Sequence, residues 1–161
     1  MRRTVLSVTF FLLGSGIVLA AAPPRAGQPA PRIDASYSTG GPVHLRQFRG
    51  KGVYLNFFAT WCPPCNDEAP DVNGLQKKYR KKGLVVLGID ALENAGKANE
   101  FVHKFGLSYK AVPDAQGQIR DAYGINALPV HVFIDRRGNI KLYRVGQMNK
   151  SEIEAAIKSI L

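Results

Sequence analysis

The chain has 161 residues, 45% of them apolar, and a formal net charge of +10. This length and apolar content suit one domain with a hydrophobic core and exclude an intrinsically disordered chain. The strongly basic cluster at residues 77–82 carries no nucleic-acid motif, so we expect a solvated helix end there and no nucleic-acid partner.

An apolar run lies at the N-terminus. Two arginines are followed by apolar residues over positions 5–22, with small residues at the end of the run. This pattern is typical of a secretory signal peptide, and its length is also near the lower limit for a membrane span. Residues 1–20 are therefore predicted to be a signal peptide or an N-terminal membrane anchor. Residues 21–32, rich in Pro, Ala and Gly, are predicted to be a linker, and residues 33–161 the folded domain, which faces an oxidising compartment outside the cytoplasm.

Two cysteines, the only ones in the chain, lie where a strand pattern changes to a helix pattern. Residues 53–58 form an apolar, aromatic-rich run of strand length, and helical character follows Cys65. Cys62 is therefore expected at a helix N-terminus, where unpaired N–H groups and the helix dipole favour the thiolate. Cys65 is close enough along the helix for a short disulfide, with Cys62 as the exposed attacker and Cys65 as the shielded resolver.

Two prolines separate the cysteines. Pro63 and Pro64 have no N–H to lose in the first helical turn, and they fix the backbone where it must turn. The alternatives to redox chemistry are an inert disulfide or half of a zinc site. A zinc site usually needs four ligands, and the chain has no second cysteine pair, so the sequence favours redox chemistry.

The remaining elements indicate an α/β domain. An N-terminal hairpin is predicted around Gly40-Gly41, and strand, helix and strand over residues 53–90 indicate a parallel βαβ unit. The active-site helix is predicted at 66–82, with Gly83 as its cap. We then expect a helix at 95–105, a short strand at 109–112 before a turn at Pro113-Asp114, a helical turn at 119–123, a hairpin around 135–139 and a final helix capped by Asn149 or Ser151.

A second informative stretch contains a proline inside a strand-like run. Pro129 follows Leu128 and precedes the apolar residues 130–134. A cis Leu128–Pro129 bond would explain this position, because cis bonds are nearly confined to proline and lie in defined turns. The alternative is an ordinary trans proline on an edge strand.

The segment Trp61-Cys62-Pro63-Pro64-Cys65 after a hydrophobic strand resembles the active site of thioredoxin-like proteins. The longer segment 53–70 is similar to the envelope TlpA/ResA/CcmG group, and the resemblance covers about residues 33–161. It implies a thioredoxin fold, with a central mixed β-sheet flanked by helices and the N-terminal β-hairpin as an extension.

The resemblance also implies a substrate surface. In thioredoxin-like proteins a cis-proline loop lies against the two cysteines and offers backbone groups to a bound substrate chain. Pro129 matches that proline, and Leu128 matches the substrate-contacting residue before it. Trp61, Pro63 and Pro64 are expected to complete the surface, and no cofactor beyond the redox-active disulfide is expected.

Glu68 and His131 are candidates for tuning the site. Glu68 lies about one helical turn beyond Cys65, where it acts either as a local base, as in ResA-like proteins, or only on the helix dipole. Asn56 stands where cytoplasmic thioredoxins carry a buried aspartate, which favours Glu68 as the substitute. His131 is a polar strand residue or, with Cys62 and Cys65, a copper or zinc ligand; because a fourth ligand is missing, we predict no metal site.

The resemblance implies a monomeric envelope thiol:disulfide oxidoreductase in the periplasm or at the outer face of the cytoplasmic membrane. It would reduce disulfides in exported proteins, such as apocytochrome c or copper-site assembly factors, with a membrane thiol-electron transporter as reductant. The alternatives are a thiol oxidase or isomerase, and a copper chaperone that uses Cys62, Cys65 and His131.

Overall fold

The structure is a computed structural model that describes residues 22–161, so the predicted signal peptide or anchor lies outside the described residues. Within this part of the chain, no helix combines the length and the apolar character that a membrane crossing requires. The strands and helices in chain order are β1 (Asp34–Ser36), β2 (Pro42–His44), β3 (Gly52–Phe58), α1 (Pro63–Tyr79), β4 (Leu84–Ala91), α2 (Ala95–Lys104), β5 (Lys110–Asp114), α3 (Gln118–Ala122), β6 (Val130–Ile134), β7 (Ile140–Val145) and α4 (Lys150–Ile160).

A five-stranded mixed sheet in the order β5-β4-β3-β6-β7 forms the centre of the fold. Strands β3, β4 and β5 are parallel, and β6 and β7 continue the sheet in antiparallel pairings. Strands β1 and β2 form a separate antiparallel hairpin. The predicted α/β architecture with a mixed sheet and an N-terminal hairpin is confirmed.

Strand β3 is the centre of the core, and all seven of its residues are buried. Successive side chains of a strand point to opposite faces of the sheet. Val53, Leu55 and Phe57 pack on the side that also contains the hairpin and α3. Tyr54 packs on the other side, against side chains of α1 and α4. Burial on both faces explains why the sequence of β3 is a continuous apolar run without polar alternation.

Two element boundaries differ from the predictions. Helix α1 begins at Pro63 instead of residue 66, because prolines are compatible with the first turn of a helix. A 3₁₀ turn, Arg80–Lys82, follows it, and Gly83 ends that turn with a φ of 98°. Pro113 belongs to β5 and not to a turn; β5 is an edge strand, where the missing N–H of a proline is tolerated.

The segment before the hairpin contacts the domain. Gly27 donates its N–H to the carbonyl of Ile140, and Ala30 donates to the carbonyl of Gly138. Pro29 forms an isolated bridge with Asn139 in the turn between β6 and β7. The structure therefore differs from a flexible linker over residues 27–30, which lie against the end of the sheet where β3 begins.

Candidate active site

The two cysteines lie at the start of α1, just beyond the end of β3. Cys62 is the N-cap residue of the helix, and its Sγ accepts a hydrogen bond from the backbone N–H of Cys65 at 3.4 Å. The side chain of Asn66 donates to the carbonyl of Cys62 at 2.7 Å. Cys62 and Cys65 form a disulfide with a Cα–Cα distance of 5.3 Å. The predicted strand–cysteine–helix arrangement is thus present in the oxidised state.

Both sulfur-bearing side chains are almost fully buried in this state. Cys62 is 3% exposed and Cys65 is 1% exposed. They belong to a cluster with Phe58 and Phe101, and Leu128 packs against that cluster. The expectation of an exposed Cys62 is therefore wrong for the disulfide form, because apolar neighbours cover both sulfurs. The roles of attacker and resolver stay predictions.

A cis peptide bond joins Leu128 to Pro129, as predicted. Pro129 is buried directly before β6, and β6 pairs with β3, so the loop lies beside the end of the strand that leads to Cys62. Among the predicted substrate-contacting residues, Trp61 is 67% exposed. Pro63 is exposed and Pro64 half-buried.

An apolar cleft of about 260 Å³ connects these parts of the surface. Trp61 and Leu128 line it, together with Leu92, Ile125 and Arg120. Leu92 is 53% exposed and has a φ of 63°, an uncommon conformation for a leucine. The sequence analysis did not identify Leu92. Its position directly after a predicted parallel strand could have indicated it, because ligands bind beyond the carboxyl ends of such strands.

Glu68 is a buried carboxyl on α1, 4% exposed. One of its oxygens, Oε1, accepts a hydrogen bond from the backbone N–H of Met148. The other, Oε2, has no hydrogen-bond partner among the described residues and lies 3.5 Å from Nε2 of His131. Burial raises the pKa of Glu68 to about 7, against the lowering effect of the Met148 N–H. A carboxyl with such a pKa can exchange a proton near neutral pH.

His131 is fully buried on β6, at 0% exposure. Its Nε2 is 3.2 Å from the carbonyl oxygen of Gly146, and its Nδ1 is 2.7 Å from the hydroxyl oxygen of Tyr54. Burial lowers the pKa of His131 to about 4, so the imidazole is neutral at pH 7. The sequence marked His131 as unusual but did not indicate that it contacts Glu68.

Two carboxyls, Glu93 and Asp90, lie near the loop before Cys62, and Glu93 binds that loop. Glu93 accepts hydrogen bonds from the backbone N–H and the hydroxyl of Thr60, at 2.6 and 2.7 Å. Burial favours its neutral form, but these bonds outweigh burial and lower the pKa of Glu93. Asp90 is fully buried nearby, and burial together with Glu93 raises the pKa of Asp90 to about 8. Sequence reasoning missed this pair.

No group of three or more His, Cys, Asp or Glu side chains within residues 22–161 is arranged to hold a metal ion. Both ring nitrogens of His131 already lie within hydrogen-bonding distance of protein groups. The alternative of a copper chaperone using Cys62, Cys65 and His131 gains no support from this geometry.

The Redoxin family profile matches residues 25–157. The thiol-disulfide oxidoreductase ResA of Geobacillus thermodenitrificans is 38% identical over 134 residues, which are 83% of this chain and 77% of that protein. The ResA protein of Halalkalibacterium halodurans is 33% identical over 164 residues, covering 99% of this chain and 93% of the relative.

Solved structures of similar fold are also thiol:disulfide oxidoreductases. A thiol:disulfide interchange protein of the thioredoxin family from Chlorobium tepidum superposes with a TM-score of 0.76 at 30% identity, covering 86% of this chain and 99% of that one. A secreted Mycobacterium tuberculosis disulfide oxidoreductase homologous to E. coli DsbE gives 0.72 at 25% identity, covering 79% and 95%. The chain therefore belongs to the Redoxin family, as a thioredoxin-like thiol:disulfide oxidoreductase of the ResA/CcmG type.

Proposed function

We propose that the protein reduces disulfides in exported proteins, with Cys62 as the attacking thiolate and Cys65 as the resolving thiol. The proposal rests on the Cys62–Cys65 disulfide at the start of α1, with Leu128 packed against the cysteine cluster. A sulfur at a helix N-terminus is stabilised as the thiolate, which is the species that attacks a disulfide. In the reduced protein, the N–H of Cys65 is available to stabilise negative charge on the Cys62 sulfur.

The proposed reaction has two exchange steps. In the first, the Cys62 thiolate attacks one sulfur of a substrate disulfide, a mixed disulfide forms, and the other substrate sulfur leaves as a thiolate that takes up a proton. In the second, Cys65 loses its proton and attacks the Cys62 sulfur, which releases the second substrate thiolate and forms the Cys62–Cys65 disulfide. Two electrons pass from the dithiol to the substrate.

Glu68 is the proposed base for the second step. It lies one helical turn beyond Cys65 on α1 and is buried on the same helix. Its pKa of about 7 means that a useful fraction is ionised, and able to accept a proton, at neutral pH. The competing role, stabilisation of the helix dipole by a charged carboxylate, fits poorly with a side chain that is 4% exposed and whose pKa burial raises to about 7.

The proposed substrate surface combines the exposed ring of Trp61, Pro63 and Pro64 after Cys62, and the Leu128–Pro129 loop. An extended substrate segment would lie along this surface, with an apolar side chain in the cleft between Trp61 and Leu128.

The partners follow from the resemblance and from export. We propose exported proteins with disulfides, such as apocytochrome c or copper-site assembly factors, as substrates, and a membrane thiol-electron transporter as the donor that restores the dithiol. The protein would act as a monomer in the periplasm or at the outer face of the cytoplasmic membrane. Its solved relative from M. tuberculosis, a secreted oxidoreductase, supports export.

The direction of electron flow is tested by equilibrium with glutathione. A reductase has a reduction potential well below that of the buffer, so in glutathione poised at about −200 mV it should be mostly disulfide. Alkylation of free thiols followed by mass spectrometry measures the ratio of dithiol to disulfide. A mostly dithiol protein in that buffer is an oxidant and would contradict the reductase proposal in favour of the oxidase or isomerase alternative.

A further inference from the structure

A buried chain of polar groups links β3, β6 and α1. The Tyr54 hydroxyl on β3 lies 2.7 Å from Nδ1 of His131 on β6. On the other side of the ring, Nε2 lies 3.2 Å from the Gly146 carbonyl and 3.5 Å from Oε2 of Glu68 on α1. Tyr54 and His131 are 0% exposed and Glu68 is 4% exposed. Buried polar groups normally persist only when they are satisfied by partners, so this contact needs an explanation.

The partners define which ring nitrogen carries the hydrogen. The Gly146 carbonyl can only accept a hydrogen bond, so Nε2 of His131 must be the donor. In a neutral ring Nδ1 is then an acceptor, and the Tyr54 hydroxyl donates to it. The Nε2–H group is therefore hydrogen-bonded to the Gly146 carbonyl. The unpartnered oxygen Oε2 of Glu68 lies 3.5 Å from the same nitrogen, close enough to be affected by the N–H dipole without a hydrogen bond.

We propose that His131 is a positioning residue for Glu68. Its Nε2–H, fixed in place by Tyr54 through Nδ1, orients the free carboxylate oxygen and stabilises the form of Glu68 that accepts the proton of Cys65. This inference rests on the proposed role of Glu68 as a base.

The neutral state of the imidazole suits this role. Burial lowers the pKa of His131 to about 4, so at neutral pH it offers a dipole to Glu68 and not a full charge. A charged imidazolium at 3.5 Å would hold Glu68 as a permanent carboxylate, and a strongly stabilised carboxylate is a poor proton acceptor. A neutral N–H donor leaves the pKa of Glu68 near 7, where both protonation states are accessible.

The other ionisable groups around the pair do not provide this stabilisation. Tyr54 and Tyr109 are buried phenols whose pKa values are raised by burial, so both are neutral at pH 7. Asp67 on α1 carries a negative charge that raises the pKa of Glu68 further, and Arg144 on β7 acts on His131 by lowering its pKa. Among the described residues, the Met148 N–H donates to Oε1 of Glu68, and Nε2 of His131 lies 3.5 Å from Oε2, where its N–H would favour the charged form.

The first test measures the carboxyl itself and does not depend on activity. In oxidised full-length protein with ¹³C-labelled glutamate, a titration followed by NMR gives the pKa of the Glu68 carboxyl, and Glu68→Gln assigns the signal. His131→Leu removes the N–H donor, and we expect the pKa of Glu68 to rise by about one unit. His131→Gln keeps an N–H donor and should recover most of the wild-type value. Tyr54→Phe frees Nδ1 and should give a smaller rise.

The second test measures the step in which Glu68 would act. Single-turnover release of a substrate peptide from its mixed disulfide with Cys62 is followed from pH 5 to 9. In His131→Leu the inflection should move to higher pH by the same amount, with release about tenfold slower below the inflection. The Glu68→Gln variant should lose the inflection, and adding His131→Leu to it should change nothing further.

The outcomes separate the two proposals. An unchanged Glu68 carboxyl pKa in His131→Leu overturns the role of His131, whatever the kinetics show. A wild-type pH profile in Glu68→Gln overturns the role of Glu68 as a base, while the NMR titration still reports on His131. If His131→Leu does not fold, the comparison of wild type, His131→Gln and Tyr54→Phe decides, because identical carboxyl pKa values in all three contradict the proposal.

Discussion

At the scale of single residues, the two cysteines differ more in their surroundings than in their exposure. Both are nearly inaccessible in the disulfide form, at 3% and 1% exposure. Cys62 is the N-cap residue and follows the exposed Trp61, whereas Cys65 lies inside the first turn of α1. A substrate that contacts the Trp61 ring would therefore lie next to Cys62. Cys65 lies three positions further along the chain, towards Glu68 in the sequence.

This asymmetry predicts which single-cysteine variant traps a substrate. Cys65→Ser keeps the attacker and removes the resolver, so it should accumulate a mixed disulfide through Cys62 when it is incubated with a disulfide-containing substrate. Non-reducing electrophoresis and mass spectrometry detect the adduct and identify the partner. Cys62→Ser is the matched control and should trap at least tenfold less. Equal trapping by the two variants would show that the roles are assigned wrongly.

At the scale of elements, the short connection between β7 and α4 positions the groups around Glu68. The carbonyl of Gly146 accepts from His131, and the N–H of Met148 donates to Glu68. Asn149 follows directly and caps α4: its side chain accepts the N–H of Glu152, whose carboxylate accepts the N–H of Asn149. The capping box thus fixes the end of the connection that supplies the Gly146 carbonyl to His131 and the Met148 N–H to Glu68.

The cap predicts a measurable loss of stability. Asn149→Ala removes the acceptor for the N–H of Glu152, and we expect the free energy of unfolding to fall by about 1 kcal/mol. Denaturant titration of the oxidised protein measures it. Asn126→Ala, at an exposed asparagine outside the helices and strands, is the control and should change the free energy of unfolding by less than about 0.5 kcal/mol. A loss no larger than that of the control would contradict a stabilising cap.

The sequence predicts those parts of the site that lie in short local segments. The strand, the cysteine pair and the helix follow one another within residues 52–79, and the cis-proline is marked by its place before a strand-like run. The contacts of Glu68 could not be predicted in this way. Tyr54 and His131 are 77 residues apart, and Met148 is 80 residues from Glu68. Only the pairing of β3 with β6 and the return of the chain before α4 bring them together.

At the scale of the whole molecule, three buried ionisable groups couple stability to pH. Folding raises the pKa of Asp90 from 3.8 to about 8 and that of Glu68 from 4.5 to about 7. A raised carboxyl pKa means that the folded state binds more protons, so stability falls as the pH rises through this range. His131 acts in the opposite direction between about pH 4 and 6.5, because its pKa is lowered. The net loss is therefore steepest above pH 6.5.

We predict that the oxidised protein loses on the order of 2 kcal/mol of unfolding free energy between pH 6.5 and 8. Urea titrations at a series of pH values measure this slope. Asp90→Asn removes the group with the highest carboxyl pKa and should flatten the slope, whereas Asp121→Asn, at an exposed aspartate on α3, should leave it intact. A flat wild-type profile in this window, or an equally steep one in Asp90→Asn, would contradict the assignment.

The bridge between Pro29 and Asn139 joins the N-terminal segment to the end of the sheet where β3 begins. Cys62 follows the other end of this strand, which has seven residues and so spans about 23 Å at roughly 3.3 Å per residue. The two cysteines therefore lie at the end of the sheet opposite the one that the N-terminal segment contacts. Under the proposed function, the electron donor and the exported substrate would both approach the exposed Trp61 beside Cys62, at a distance from the contacts of the N-terminal segment.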